Sequence, residues 1–113
     1  MSQIKMEEQI GGLILHLKGQ FIGGNETEEL RETLRKAAED KKNTLIMNLE
    51  KVTYLNSTAL GILMSAYTNF VKRNGRVVLC GVGKSIENLF VITKLTLVFP
   101  IYETLDEAIK SIS

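Results

Sequence analysis

The side chains of this chain that could carry chemistry are three short polar residues in a row, Asn56, Ser57 and Thr58. They follow an apolar run of strand length at residues 45–49 and precede a segment whose apolar residues recur at helical spacing. The Ser57 hydroxyl therefore stands where a helix should begin. A serine in that place could cap the helix, attack a substrate as a nucleophile or accept a phosphoryl group.

The remaining residues offer few groups for nucleophilic catalysis or for metal binding. A nucleophilic serine needs a neighbouring base, and the single histidine, His16, belongs to an early strand on whose polar, solvated face we expect it. The single cysteine, Cys80, ends an apolar run and is predicted to be a small core residue. One cysteine and one histidine allow no disulfide and no usual metal site, so we expect no metal and no cofactor.

The glycine pair Gly23-Gly24 precedes a predicted helix, where backbone N–H groups can bind an anion. The pair is not followed by a Lys-Ser/Thr dipeptide, and acidic residues occupy the first helical turn. Those carboxylates would repel phosphate, so we predict no phosphate-binding loop at this position.

The composition limits the class of protein. The chain has 113 residues with 44% hydrophobic and 24% charged side chains, and we treat residues 1–113 as one domain. A net charge of +1 and the absence of tryptophan argue against nucleic acid and against an anionic membrane surface. The first residues do not resemble a signal peptide, and the most apolar stretch, residues 89–102, is too short to cross a bilayer. We therefore expect a cytoplasmic protein without membrane insertion.

The hydrophobic pattern predicts an α/β fold with the order ββαβαβαβα. The first two strands, residues 3–8 and 13–18, are joined by Gly11-Gly12 as a hairpin turn. The first helix is predicted to begin at Asn25 as its cap, with Glu28 completing a capping box. The later elements are expected at residues 44–49 (strand), 58–73 (helix ending at Asn74-Gly75), 76–80 (strand), 85–92 (helix capped by Ser85), 98–102 (edge strand containing Pro100) and after the capping pattern at 104–107 (helix).

The second predicted helix has two different sides. Its inward stripe comprises Leu60, Leu63, Met64, Tyr67 and Val71. Its opposite side is small and weakly polar, with one branched apolar residue, Ile62, among Thr58, Gly61, Ser65 and Asn69. Such a surface suits close docking by another protein, or alternatively it packs against a neighbouring helix.

Residues 56–61, Asn-Ser-Thr-Ala-Leu-Gly, resemble the Asp-Ser-(Ser/Thr/Ala)-Gly-Leu-Gly signature of STAS domains, specifically of bacterial anti-sigma factor antagonists. Gly19-Gln20-Phe21 resembles the end of that family's hairpin, and Asn74-Gly75-Arg76 its turn before the next strand. The resemblance implies one STAS domain, with a mixed sheet whose N-terminal hairpin is antiparallel and whose remaining strands are parallel and packed against helices.

The resemblance also implies a binding module rather than an enzyme. In these antagonists the motif serine is phosphorylated by an anti-sigma factor that is also an ATP-dependent kinase; the unphosphorylated form binds that factor and frees the sigma factor, and a phosphatase resets the cycle. Carried onto this chain, the phosphoacceptor is Ser57, with Thr58 as the fallback. The implied partner surface consists of Ile22, Gly23, Gly24, Asn25, Asn56, Thr58, Ala59, Gly61, Ile62 and Ser65.

This chain departs from the family pattern at four positions. Asn56, Asn48 and Ile22 stand where the family often has aspartate, and Ala59 replaces a glycine. A neutral amide cannot pair with an arginine as a carboxylate does. A non-switching STAS docking subunit of a transporter or other ATPase complex therefore remains an alternative, as does Ser57 serving only as a helix cap. A small enzyme or ligand-binding module is a third possibility, without paired carboxylates to support it. Oligomeric state stays open.

Overall fold

The computed structural model describes residues 3–112. These residues form one five-stranded sheet in the order β1-β2-β3-β4-β5 with helices on both faces. The elements are β1 (Ile4–Gln9), β2 (Gly12–Phe21), α1 (Gly24–Ala38), β3 (Thr44–Leu55), α2 (Ser57–Lys72), β4 (Arg76–Cys80), α3 (Lys84–Ile92), a 3-10 turn (Leu95–Leu97), β5 (Ile101–Tyr102) and α4 (Leu105–Ile112). β1 pairs antiparallel with β2, and the other pairs are parallel. The predicted element order and mixed sheet are confirmed.

Two hydrophobic clusters hold the helices against the sheet. The larger cluster lies under α1, α2 and α3 and includes Leu13, Leu15 and Leu17 of β2. The smaller one lies under α4, where Ile14, Ile46 and other fully buried side chains meet Ala108. The face of β2 toward α4 is therefore apolar at Ile14 and polar from His16 onward, because α4 covers only the first part of the strand, while Leu17 and Phe21 continue the apolar opposite face.

The first turn of the sheet differs from its prediction. Gln9 pairs with Gly12, so the turn residues are Ile10 and Gly11, and Gly11 has the positive φ of +90°. Gly12 belongs to β2. A Cβ on Gly12 would lie 2.8 Å from the carbonyl oxygen of Thr44, so this glycine permits a close approach of two strands and not a turn.

Helix α2 packs over a wider arc than predicted. Its buried residues are Ala59, Leu60, Ile62, Leu63, Ala66 and Phe70. Val71, expected to face inward, is 45% exposed, and Phe70 takes its place in the core at 0%. The difference arises because α2 packs against both the sheet and α1, so a second row of side chains is covered.

Several local predictions are confirmed and others are wrong. The strand at 76–80 and the capping pair of Thr104 and Glu107 are as predicted, and Asn74 adopts the left-handed conformation after α2. The cap of α3 is Gly83 and not Ser85, and β5 contains only residues 101 and 102, since a 3-10 turn precedes it.

Cys80 is the small core residue that the sequence predicted, with 0% exposure. Burial, helped by the nearby charge of Glu50, raises the pKa of its thiol to about 11. Within residues 3–112, no helix combines the length and apolar character needed to cross a membrane.

Candidate functional site

Asn56 connects β3 to α2 and joins three elements. Its backbone N–H donates to the carbonyl oxygen of Phe21 (3.1 Å), and its Nδ2 donates to that of Ile22 (3.4 Å). Its Oδ1 accepts from the Ala59 N–H at 2.9 Å and so caps α2. The alternative that Ser57 is the helix cap is therefore wrong, because the amide oxygen of the preceding residue occupies that role and Ser57 is the first helical residue.

The Ser57 hydroxyl lies at the exposed tip of α2. Ser57 and Thr58 are both exposed, and within the described part of the chain no hydrogen bond of the Ser57 side chain is found. The N-terminus of a 16-residue helix carries free N–H groups and a partial positive charge, which favour an anion. The hydroxyl is thus free to accept a group delivered by another molecule.

His16 does not serve Ser57 as a base. His16 pairs in register with Asn48, which precedes Asn56 by eight residues, or about 25 Å of strand. His16 is also engaged by other groups, because Nε2 lies 2.8 Å from Oε1 of Glu7 and Nδ1 lies 3.1 Å from Nδ2 of Asn48. The bond to His16 is the largest cause that lowers the pKa of Glu7.

The prediction for His16 is therefore corrected in part. It lies on the polar face, as expected, but it is only half-buried in an interior strand and has an acidic partner across the hairpin. Asn48, expected at the end of the central strand, lies in its middle, since β3 continues to Leu55. Among residues 3–112 no group of three or more histidine, cysteine or acidic side chains could hold a metal.

The loop before α1 lies directly beside the tip of α2. Gly23 of this loop is the N-cap residue of α1. The carboxylate of Glu26 accepts hydrogen bonds from the backbone N–H groups of Gly23 (2.5 Å) and Ile22 (3.1 Å). The capping box was predicted at Asn25 and Glu28, but α1 begins two residues earlier, so Gly23 and Glu26 take these positions. Backbone hydrogen bonds, first its own and then those of Gly23 and Ile22, lower the pKa of Glu26.

Glu26→Gln tests this arrangement through the pH dependence of unfolding. Because the pKa of Glu26 is lowered in the folded state, its stabilising contribution is complete above pH 4.5 and is lost as the pH falls through the folded value. Urea titrations should show the wild type more stable than the variant above pH 4.5, with a difference that shrinks in acid. Glu28→Gln, which alters an exposed pair with Arg31, is the matched control. A constant difference across this pH range would contradict the proposed role of the charge.

The predicted partner residues divide into exposed and buried sets. Those exposed are Ile22, Gly23, Gly24, Asn25, Thr58, Gly61 and Ser65, and Asn56 is half-buried. Ala59 (0%) and Ile62 (5%) are buried, so the expectation that their side chains face a partner is corrected. Ile62 packs in the groove between α1 and α2, beside Leu34 and Ala66. We call the exposed set, together with Ser57, the docking surface.

One neighbour of the docking surface escaped the sequence analysis. Tyr54, two residues before Asn56, is 48% exposed, and it was missed because β3 extends six residues beyond its predicted end. The loop after β4 lies beside the middle of β3 and not beside the docking surface, because Cys80 pairs with Asn48 and Gly81 packs against Glu50.

Gly61→Ala should stabilise the fold. Gly61 lies inside α2, and a Cβ there would meet no atom within 4 Å. Alanine in a helix interior is more stable than glycine by about 0.5–1 kcal/mol, so the urea midpoint should rise. Gly12→Ala is the contrasting variant and should lower it, because its Cβ meets the Thr44 carbonyl at 2.8 Å. A lower midpoint for Gly61→Ala would show that this position is more crowded than the structure indicates.

A mixed five-stranded sheet with an antiparallel first hairpin, and an exposed serine on the helix after the central strand, is the arrangement of a STAS domain. The STAS domain model matches residues 3–108, and the chain belongs to this family.

The chain is similar to several proteins in sequence and in structure. The chain is 24% identical over 102 residues to an anti-sigma F factor antagonist of Paenibacillus polymyxa, covering 89% of this chain and 86% of that one. It resembles the crystal structure of an anti-sigma factor antagonist from Mycobacterium paratuberculosis with a TM-score of 0.85 and 25% identity, covering 96% and 92% of the two chains. A sulfate transporter family protein from Wolinella succinogenes shares the fold, with a TM-score of 0.76, 18% identity and coverage of 88% and 82%.

Proposed function

We propose that this protein is an anti-sigma factor antagonist that binds a kinase-type anti-sigma factor, releases the sigma factor and is switched off by phosphorylation of Ser57. The observation that carries the proposal is the exposed Ser57 hydroxyl at the tip of α2, beside the Ile22–Asn25 loop. The two named antagonists among its relatives support the class. A phosphatase would reset the cycle, which we place in the cytoplasm.

The phosphoryl transfer uses chemistry supplied by the partner. A kinase brings ATP, Mg²⁺ and a base. Oγ of Ser57 forms a bond to the γ-phosphorus of ATP, the bond from that phosphorus to the bridging oxygen breaks to leave ADP, and the hydroxyl proton passes to the base of the kinase. The acceptor chain contributes the exposed hydroxyl and the positive end of α2, which stabilises the new anion.

The docking surface makes that anion effective as a switch. Its exposed side chains are uncharged, and the carboxylate of nearby Glu26 is directed to the backbone of its own loop. Phosphorylation adds about −1.5 to −2 charges. A partner that packs closely on the neutral surface would have to remove water from this charge without offering a counter-charge, so the complex dissociates.

Asn56 gives a physical reason for one departure from the family pattern. Its amide accepts from Ala59 and donates to Ile22 at the same time. A carboxylate can accept but cannot donate. The asparagine therefore keeps the helix cap and also ties the loop to α2, which favours a partner that recognises a neutral surface.

The test is phosphorylation of the full chain. The tagged protein is used to isolate its ATPase partner, and that ATPase is incubated with the chain and ATP before intact-mass analysis. Wild type and Thr58→Ala should each gain one phosphate, and Ser57→Ala none. Transfer to Ser57→Ala but not to Thr58→Ala would move the acceptor to Thr58. The absence of any transfer would refute the switch.

The second candidate is a non-switching STAS docking subunit of a transporter or other ATPase complex. It is favoured by the neutral side chains at Asn48, Asn56 and Ile22. In that case the copurifying ATPase would be of the ABC type and not of the histidine-kinase type, and it would transfer no phosphate to Ser57.

A further inference from the structure

The sheet has a polar hollow on the face that α4 leaves open, apart from the docking surface. The hollow has a volume of about 530 Å³ and is formed by β1, β2 and β3. The charged and titratable side chains that line it are Lys5, Glu7, His16, Lys18, Glu50 and Lys51. We call it the lysine hollow.

Three lysines come to this hollow from three adjacent strands. Lys5 on β1 lies opposite His16, and Lys18 on β2 lies opposite Lys51 on β3. Neighbouring strands are about 4.8 Å apart, so the flexible amino groups can converge on one ligand. All three lysines are exposed, and none of them forms an ion pair with a carboxylate in the described part of the chain.

Lys18 and Lys51 place two positive charges opposite each other on neighbouring strands. Like charges in that arrangement are destabilising. Neither acid of the hollow forms an ion pair with these two lysines, since Glu7 pairs with His16 at 2.8 Å and the ion pairs of the described residues do not include Glu50. An anion bound between the two amino groups would relieve their repulsion.

The polar side chains at the floor of the hollow are already hydrogen-bonded to one another. Both ring nitrogens of His16 are occupied, by Glu7 and by Asn48, and Oδ1 of Asn48 accepts from the Glu50 N–H at 3.1 Å. That last bond fixes the orientation of the amide, so Nδ2 is the atom that faces His16. The ligand groups of the hollow are therefore the three amino groups.

From this geometry we propose that the lysine hollow binds a small phosphate-type polyanion through Lys5, Lys18 and Lys51. Ammonium groups bind phosphate oxygens by charge-assisted hydrogen bonds. A second depression shares Lys18 and Lys51 with the hollow and extends to Ile22 and Glu26. The bound anion thus lies next to the loop that forms part of the docking surface.

Titration of the ¹⁵N-labelled full chain with sodium pyrophosphate, at an ionic strength kept constant with NaCl, tests the proposal. Saturable amide shifts are expected around residues 5, 16–18 and 50–51. Lys18→Gln and Lys51→Gln should each weaken binding about tenfold. Lys72→Gln removes the same charge from the exposed end of α2 and should leave the affinity unchanged. Shifts that do not saturate, or equal weakening by Lys72→Gln, would overturn the site.

Two further measurements distinguish anion binding in the lysine hollow from a folding role of Lys18 and from anion binding at the tip of α2. Without pyrophosphate, Lys18→Gln should be at least as stable to urea as the wild type, because the like-charge contact is relieved; a less stable variant would show that Lys18 is needed for the fold instead. Ser57→Asp should bind pyrophosphate as the wild type does, since Ser57 does not line the hollow. Loss of binding in that variant would place the anion at the tip of α2 and refute the proposal.

Discussion

Ser57→Asp is expected to weaken binding of the isolated anti-sigma factor about a hundredfold or more, whereas Ser57→Ala changes the affinity less than about threefold. The aspartate places a carboxylate on the exposed tip of α2, within an otherwise uncharged docking surface. Burying one unpaired charge in an interface costs several kcal/mol. Calorimetric titration at one fixed salt concentration measures both variants, and most of the loss should appear as faster dissociation.

Thr68→Asp is the matched control for this charge. Thr68 is exposed on the same helix, about 16 Å further along its axis, and lies outside the docking surface. It should leave the affinity within about threefold of the wild type. If both aspartate variants bind equally well, or if both lose affinity equally, the effect does not arise at the helix tip and the charge argument fails.

Arg73→Ala is expected to destabilise the protein by about 3 kcal/mol, which lowers the melting temperature by roughly 10 °C. Nη1 of Arg73 donates to the carbonyl oxygens of Ala38 and of Asp40 (2.6 Å), and Nη2 donates to that of Lys42 at 2.5 Å. The guanidinium thereby satisfies carbonyl groups at and beyond the end of α1. It also lies over the ring of Phe70, with 4.6 Å between Cζ and the centroid.

Arg31→Ala provides the comparison for a charge lost at the surface. Arg31 pairs with Glu28 at 3.4 Å, and both side chains are more than half exposed, so its loss should cost less than about 0.5 kcal/mol. Arg73→Lys keeps the charge but cannot reach several carbonyl groups at once, and it should retain less than half of the stability that Arg73 provides. Similar unfolding free energies for Arg73→Ala and Arg31→Ala would contradict the bridging role.

The sequence predicted best those features that depend on neighbours along the chain. The strand at residues 76–80 and the capping pair of Thr104 and Glu107 have their signals within a few residues. The polar triplet at Asn56 predicted the start of α2 and an exposed Ser57, because short polar side chains between a strand and a helical pattern have few other places to lie. The identity of the cap was missed, since it depends on where β3 ends.

Features that join distant parts of the chain could not be predicted in this way. The second half of β3 was not predicted because its sequence contains the polar residues Glu50, Lys51 and Thr53. These side chains are exposed on the part of the sheet that α4 does not cover. The acidic partner of His16 lies on the opposite strand of the hairpin. The burial of Ile62 results from the packing of α1 against α2, which helical periodicity alone does not show.

The sequence by itself thus determined the order of the elements, the mixed α/β class and a serine at the beginning of a helix, because hydrophobic period and capping chemistry act over one or two turns. Only the tertiary structure decided which residues surround that serine. The bond from Asn56 to Ile22 spans 34 residues and the bond from Arg73 to Ala38 spans 35. Such contacts depend on the register of the sheet and the packing of helices on it, and these are properties of the whole folded chain.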